Sequence, residues 1–126
     1  MKFLHTMIRV KDIEKSLKFY SELLELELVK EMRLGDCNLF FLSDKHGEAQ
    51  IELTFNDETP EEGYQVGSGF GHFAFEVDSM NEFDKKLKKM GLEYLYEPFN
   101  IPNSKSLIAF VKDPDGYEIE LVEKGL

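Results

Sequence analysis

Residues 5–24, HTMIRVKDIEKSLKFYSELL, align without a gap with residues 72–91, HFAFEVDSMNEFDKKLKKMG. His5 falls opposite His72, and every other pair in the alignment keeps the same offset. Further along, AQIELTF at 49–55 matches YEIELVE at 117–123, which places Glu52 opposite Glu120. Internal repetition at a near-constant spacing indicates that each half of the chain is one supersecondary unit. Each unit begins with a His strand and ends with a Glu strand.

Helix signals follow the first strand of each repeat. Asp12 is a candidate N-cap for the first helix, whereas Ser79 and Glu82 form a capping box at the start of the second, which Gly91 ends. Apolar residues at helical spacing are Ile13, Leu17, Tyr20 and Leu24 in the first helix, and Met80, Phe83, Leu87 and Met90 in the second. Both stripes are predicted to face the core.

Short segments rich in β-forming residues follow each helix. They are LELVKEMRL, CNLFFLSD and AQIELTF in the first half, and LEYLYEPF, SLIAFVKD and YEIELVE in the second. The motif DPDG at 113–116 predicts a type I turn between two antiparallel strands. The chain is therefore predicted to be α+β, with two tandem βαβββ modules.

The length of 126 residues fits a single domain. Its two modules are expected to cover about 1–56 and 70–126, joined by the polar, Gly-rich linker NDETPEEGYQVGSGFG.

Composition excludes several classes of partner and location. A net charge of −10 opposes binding to nucleic acid or to an anionic membrane. The sequence has no run of about 18 apolar residues, and MKFLHTMIRV lacks a signal-peptide core. The single cysteine, Cys37, cannot form an internal disulfide, which fits a reducing cytoplasm, and its role is left open.

In both repeats, alternation along the strands places the polar residues on the face opposite the apolar residues. In the first strand Leu4, Ile8 and Val10 point one way, and His5, Met7 and Arg9 the other. The same parity puts Glu52, Thr54 and Asn56 opposite Ile51, Leu53 and Phe55, His72 opposite Phe73, and Glu120 opposite Ile119 and Leu121. Helices are expected to cover the apolar faces, so both His and both Glu lie on the uncovered faces.

Two imidazoles and two carboxylates, one of each from either repeat, form a set of metal-binding groups. His5, Glu52, His72 and Glu120 would suit Ni²⁺, Co²⁺, Fe²⁺, Mn²⁺ or Zn²⁺. Four protein ligands on an octahedral ion leave two positions for water or substrate oxygens. His46 has no counterpart in the second repeat and is assigned to the surface, as are Glu76 and Glu118.

With these residues in hand, the sequence resembles glyoxalase I, the lactoylglutathione lyase family of the vicinal oxygen chelate superfamily. The stretches that carry the resemblance are LHTMIRV, KSLKFY, IELTFN, GFGHFAFEVD and IAFVKDPDGYEIELVE. It implies curved mixed sheets and metal ligands His5, Glu52, His72 and Glu120. It also implies that Arg9 and Asn56 hold the glutathione moiety, and that a homodimer shares each active site between its subunits.

The implied reaction is that of a carbon–sulfur lyase. The hemithioacetal of methylglyoxal and glutathione would be isomerised to S-lactoylglutathione through a cis-enediolate, with Glu120 as base and Glu52 as the related group on the other side. The short chain resembles the nickel- or cobalt-activated type, with zinc as a further candidate. Departures from the family pattern are Asn56-Asp57-Glu58 where many members read Asn-Trp-Gly, Ser68 where some carry a basic residue, and Glu25 in place of Gly.

Three alternatives share the expected fold. A CoA-ester epimerase would use related enediolate chemistry, and a non-enzymatic small-molecule-binding protein would need no metal. An Fe²⁺ extradiol dioxygenase would use two His and one carboxylate, so the additional Glu52 counts against it. The native metal, the thiol and the aldehyde are left open.

Overall fold

The computed structural model describes residues 1–125. The chain divides into two compact units, Met1–Gln65 and Val66–Leu126. The division falls inside the Gly-rich segment expected to connect the two modules.

The first unit follows the predicted order of strand, helix and three strands. Its elements are β1 (His5–Arg9), α1 (Ile13–Lys18), a π-helical continuation (Phe19–Leu23), β2 (Glu27–Leu34), β3 (Cys37–Ser43) and β4 (Gln50–Asn56). The strands form one sheet in the order β1-β4-β3-β2. β1 and β4 are parallel, and the other neighbours are antiparallel.

The second unit repeats this topology. Its elements are β5 (His72–Glu76), α2 (Met80–Lys89), β6 (Tyr96–Asn100), β7 (Leu107–Lys112) and β8 (Glu118–Glu123). The sheet order is β5-β8-β7-β6, again with the first and last strands parallel. Two four-stranded mixed sheets confirm the predicted α+β class and the βαβββ pattern of each half.

Side-chain caps start both helices where the sequence placed them. The Asp12 carboxylate accepts a hydrogen bond from the Lys15 backbone N–H, and the Ser79 hydroxyl accepts one from Glu82, each at 3.1 Å. The α2 N-terminus is also tied to β8, because the Met80 N–H donates to Glu123 Oε1 at 2.6 Å.

Among residues 1–125, no helix is long and apolar enough to cross a membrane.

The first helix differs from a uniform α-helix at its C-terminal end. There the Leu24 N–H bonds to the Phe19 carbonyl, five residues back, at 3.3 Å. A π turn rotates the following side chains relative to an α-helical register. Phe19, Tyr20 and Leu23 are buried, whereas Leu24, at the end of the turn, is only half-buried. Ile13 and Leu17, which precede the turn, are half-buried as well. The predicted stripe was right for Tyr20 and wrong in giving Ile13, Leu17 and Leu24 the core positions.

The apolar strand faces are buried in part as alternation predicted. Val10, Leu53, Ile119 and Leu121 are each 0% exposed, and α2 covers its sheet with Met80, Phe83 and Leu87. Other predicted core positions on these faces are only half-buried; they are Phe55, Phe73, Phe75 and Val77. Leu4 is exposed, at 64%. Since β1 starts at His5, Leu4 lies outside the paired strand and its predicted place on the apolar face was wrong.

The predicted turn at DPDG joins β7 to β8, which pair in antiparallel fashion. The Asp113 carbonyl accepts from the Gly116 N–H at 3.0 Å. Asp113 Oδ1 also accepts from the backbone N–H groups of Asp115 and Tyr117, at 2.9 and 2.8 Å. These bonds fix the register of β8 and therefore the position of Glu120.

Glu25 follows the π-helical segment with φ of +61°, a left-handed conformation. Such a conformation disfavours side chains other than Gly, Asn and Asp. Glu25→Gly is therefore expected to raise the free energy of unfolding by about 0.5–1 kcal/mol, measured by urea denaturation. Asn103→Gly is the matched control at φ of +62°, where Asn is already tolerated and a smaller gain is expected. A destabilised Glu25→Gly variant would show that the left-handed conformation of Glu25 carries no cost.

Candidate metal centre

The parallel pairing of β1 with β4 brings His5 against Glu52. In the register His5 pairs with Gln50 and Met7 with Glu52, so His5 and Glu52 lie diagonally on the same face. His5 Nε2 is 3.1 Å from Glu52 Oε1. Phe41 of β3 pairs directly with Glu52, and its ring meets the His5 imidazole edge-on at 5.4 Å between centroids. The predicted pair of the first repeat therefore forms.

Glu52 is buried although the helix-free face was expected to be open. Only 11% of its side chain is exposed. The Thr54 hydroxyl donates to Glu52 Oε2 at 2.7 Å, and Oε1 faces His5. Each carboxylate oxygen thus has a polar neighbour, which offsets the cost of removing the group from water.

The second unit reproduces the arrangement in a looser form. His72 of β5 and Glu120 of β8 are again diagonal across a parallel pair, and Phe110 pairs directly with Glu120. The Phe110 and His72 rings meet edge-on at 5.3 Å. However, His72 Nε2 is 3.9 Å from Glu120 Oε1, and the two side chains are 42% and 20% exposed. The second pair therefore has a longer nitrogen–oxygen distance and more exposed side chains than the first.

Each pair offers one imidazole nitrogen and one carboxylate oxygen, a donor set that suits a divalent transition metal. Two adjacent ligands at about 2.1 Å from an octahedral ion are about 3.0 Å apart. The 3.1 Å spacing of His5 and Glu52 fits this value, although it also suits a hydrogen bond from the imidazole N–H. The 3.9 Å spacing of His72 and Glu120 fits only after a shift of less than 1 Å.

Within the described part of the chain, no three His, Cys, Asp or Glu side chains cluster as a ready metal site. Within each unit, the structure brings one predicted His beside one predicted Glu. That all four serve one ion stays a prediction.

The predicted substrate-binding residues end the same two strands. Arg9 is the last residue of β1 and is exposed, and Asn56 is the last residue of β4 and is half-buried. The Tyr64 hydroxyl donates to Asn56 Oδ1 at 3.3 Å. That contact orients the amide so that its NH₂ group can donate elsewhere. Sequence reasoning missed Tyr64, because an aromatic residue in a polar linker carries no spacing signal.

Asp57, which departs from the family pattern, is held by Arg33 of β2. Two parallel hydrogen bonds join the guanidinium to the carboxylate, with Nη1–Oδ1 at 2.7 Å and Nη2–Oδ2 at 2.5 Å. The hydrogen bond from Arg33 lowers the pKa of Asp57, and the same contact raises the pKa of Arg33. The carboxylate is therefore paired with a cation of its own unit.

The remaining candidates lie elsewhere. His46 is exposed, as predicted, and Glu76 forms a surface ion pair with Lys124 at 3.1 Å. The Cys37 thiol donates to the Leu34 carbonyl at 3.2 Å. A groove of about 590 Å³ at the C-terminal end of α2 contains none of the predicted site residues; it is lined by Leu87, Lys88, Gly91, Leu92, Glu93, Tyr94 and Glu97.

Comparison with known proteins places the chain in a family. The model for the Glyoxalase/Bleomycin resistance protein/Dioxygenase superfamily matches residues 2–121. The chain belongs to this superfamily. A lactoylglutathione lyase of Neisseria meningitidis is 39% identical over 98% of this chain and 91% of its own length. A probable lactoylglutathione lyase of Synechocystis is 42% identical over 98% of this chain and 95% of its own length.

Solved structures from the superfamily share the fold. Glyoxalase I from Zea mays matches with a TM-score of 0.87 and 29% identity, covering 99% of this chain and 45% of the maize chain. This chain therefore spans about half the length of that relative. The trypanothione-dependent glyoxalase I of Leishmania major matches with a TM-score of 0.82 and 32% identity, over 98% of this chain and 87% of its own.

Proposed function

We propose that this protein is a lactoylglutathione lyase, a glyoxalase I that detoxifies methylglyoxal. It isomerises the hemithioacetal of methylglyoxal and glutathione to S-lactoylglutathione. The observation that carries the proposal is the His–Glu pair formed twice, on the first and last strands of each unit. The lactoylglutathione lyases that match over nearly the whole chain support the same activity. A cytoplasmic location fits the lone Cys37.

His5, Glu52, His72 and Glu120 are the proposed ligands of one divalent ion. A set of two nitrogens and two carboxylate oxygens suits Ni²⁺ or Co²⁺, and Zn²⁺ is a further candidate. A bound ion supplies a Lewis acid that stabilises negative charge on the substrate oxygens as a proton leaves carbon. Proton transfer and substrate binding are assigned to side chains of the protein.

Glu120 is the proposed base that removes a proton from one carbon of the hemithioacetal and returns it to the next. Its carboxylate is more exposed than that of Glu52, and its contact to histidine is longer by 0.8 Å, the difference between 3.9 and 3.1 Å. A general base must reach the substrate and change its partners, which the looser pair permits. Glu52 is the related carboxylate of the other repeat.

Arg9 and Asn56 are the proposed binding residues for glutathione. The Arg9 guanidinium can pair with a carboxylate of the tripeptide, which offsets the net charge of −10. The Tyr64 hydroxyl donates to Asn56 Oδ1 and so orients the amide. The NH₂ group of Asn56 can then donate to the same ligand.

The activity is tested on protein stripped of metal with a chelator and reloaded with Ni²⁺, Co²⁺ or Zn²⁺ in turn. Methylglyoxal is supplied with glutathione, or with trypanothione as an alternative thiol. We expect no turnover by the stripped protein and recovery with Ni²⁺ or Co²⁺ and glutathione, followed as thioester absorbance. Turnover of an acyl-CoA epimer with none of a hemithioacetal would contradict the proposal, as would inactivity with every ion.

Removal of the Arg9 guanidinium tests the substrate site. Arg9→Ala is expected to raise KM for the hemithioacetal about tenfold with little change in bound metal, since one charge-assisted contact is lost. Lys85→Ala, on the exposed surface of α2, makes the same change of charge and should leave KM unaltered. A wild-type KM in Arg9→Ala would show that Arg9 does not bind the substrate.

A homodimer with shared sites is also proposed. Edge strands β2 and β6 expose apolar side chains that a second copy could cover; they are Leu28, Val29, Met32, Leu34, Tyr96 and Phe99. Exposed apolar residues on an edge strand are typical of an interaction surface.

Complementation between two inactive variants tests the sharing. Glu52→Gln and Glu120→Gln are each expected to lose about 10²–10⁴-fold in turnover, as removal of a base or ligand does. If each site takes one pair from each subunit, subunit exchange between the two variants should restore about a quarter of wild-type activity, because half the dimers are mixed and each has one intact site. No recovery after proven exchange would mean that each site is built from one chain.

A further inference from the structure

The two glutamates differ at the residue two positions further along the same strand. Thr54 follows Glu52, and Val122 occupies the equivalent place after Glu120. Thr54 is 5% exposed, and its hydroxyl donates to Glu52 Oε2 at 2.7 Å. Val122 lies on the same strand face as Glu120 but has a methyl group where Thr54 has its hydroxyl. Glu52 therefore receives a hydrogen bond from Thr54. Glu120 cannot receive the equivalent bond from Val122, which has no hydroxyl.

This difference corresponds to a difference in the two sites. Glu52 is held at both oxygens, by His5 and by Thr54, and only 11% of its side chain is exposed. Glu120 lies 3.9 Å from His72 and is 20% exposed. A hydrogen bond from a hydroxyl to a carboxylate is short and strong, and it limits rotation of the acceptor group.

We propose that Thr54 is a positioning residue, which keeps Glu52 in place as a permanent metal ligand. Val122 has no hydroxyl to donate, so Glu120 can turn toward the substrate and carry the proton. The two carboxylates occupy equivalent positions in the duplicated fold, and the residue two positions further along gives them different roles. This inference rests on the proposed function.

The first arm of the test measures metal binding without catalysis. Co²⁺ is titrated into metal-free wild-type protein, Thr54→Val and Thr54→Ser, and its visible absorption bands report both affinity and ligand geometry. Thr54→Val keeps the shape but loses the hydroxyl, and is expected to weaken Co²⁺ binding about 10–100-fold and to change the bands. Thr54→Ser restores the hydroxyl, and its affinity is expected to stay within about threefold of wild type.

The second arm places the missing hydroxyl beside the other carboxylate. Val122→Thr is expected to lower kcat at least tenfold, while Co²⁺ affinity stays equal or becomes tighter, because Glu120 is then held like Glu52. Urea denaturation of each variant checks that the fold is kept. The Val122→Thr arm remains informative even if Thr54→Val does not fold.

The outcomes separate this inference from the proposed function. Wild-type affinity in Thr54→Val, equal loss in Thr54→Val and Thr54→Ser, or wild-type kcat in Val122→Thr would each overturn the positioning role while an active wild-type enzyme upholds the lyase. A wild-type protein that binds no Co²⁺ and turns over no hemithioacetal would instead overturn the proposed function itself.

Discussion

Parallel pairing of the first and last strands in each unit is the constraint on which the candidate site depends. In both sheets the histidine is the first residue of the opening strand and the glutamate is the third residue of the closing strand. Because the strands run side by side in one direction, these positions fall on one face within reach of each other. The helix and the two strands between them in the chain provide the crossover that a parallel connection requires. Chain order alone thus creates two nitrogen–oxygen pairs.

Burial makes the two pairs chemically different. A carboxylate that leaves water must find polar partners, and Glu52 has them in His5 and Thr54. Phe41 and Phe110 pack against the histidines in the same edge-on manner, so the rings hold both imidazoles alike. The asymmetry therefore resides in the carboxylates. In the proposed function, Glu52 would be the fixed ligand and Glu120 the base that moves a proton between neighbouring carbons.

Much of the fold was predictable because it is specified locally. Caps at Asp12 and Ser79, the turn at Asp113 and the alternation along each strand are set by neighbouring residues, and the repeat supplied an independent check on the caps and the alternation. The exposure of Leu4 and the π turn at Leu24 were not predictable, since both depend on where strand pairing and helical hydrogen bonds end. The bond from Thr54 was visible only as shared parity with Glu52, because parity gives the face of a side chain but not its rotamer.

X-ray absorption of the Co²⁺-loaded protein reports the ligand atoms of the bound ion, so it bears on the proposed metal site without any assay of activity. We expect about one ion per chain in a six-coordinate shell of nitrogen and oxygen at about 2.1 Å, with the scattering pattern of two imidazoles. A shell with a sulfur ligand from Cys37, or with one imidazole or none, would contradict the assignment of His5, His72, Glu52 and Glu120 as the metal ligands.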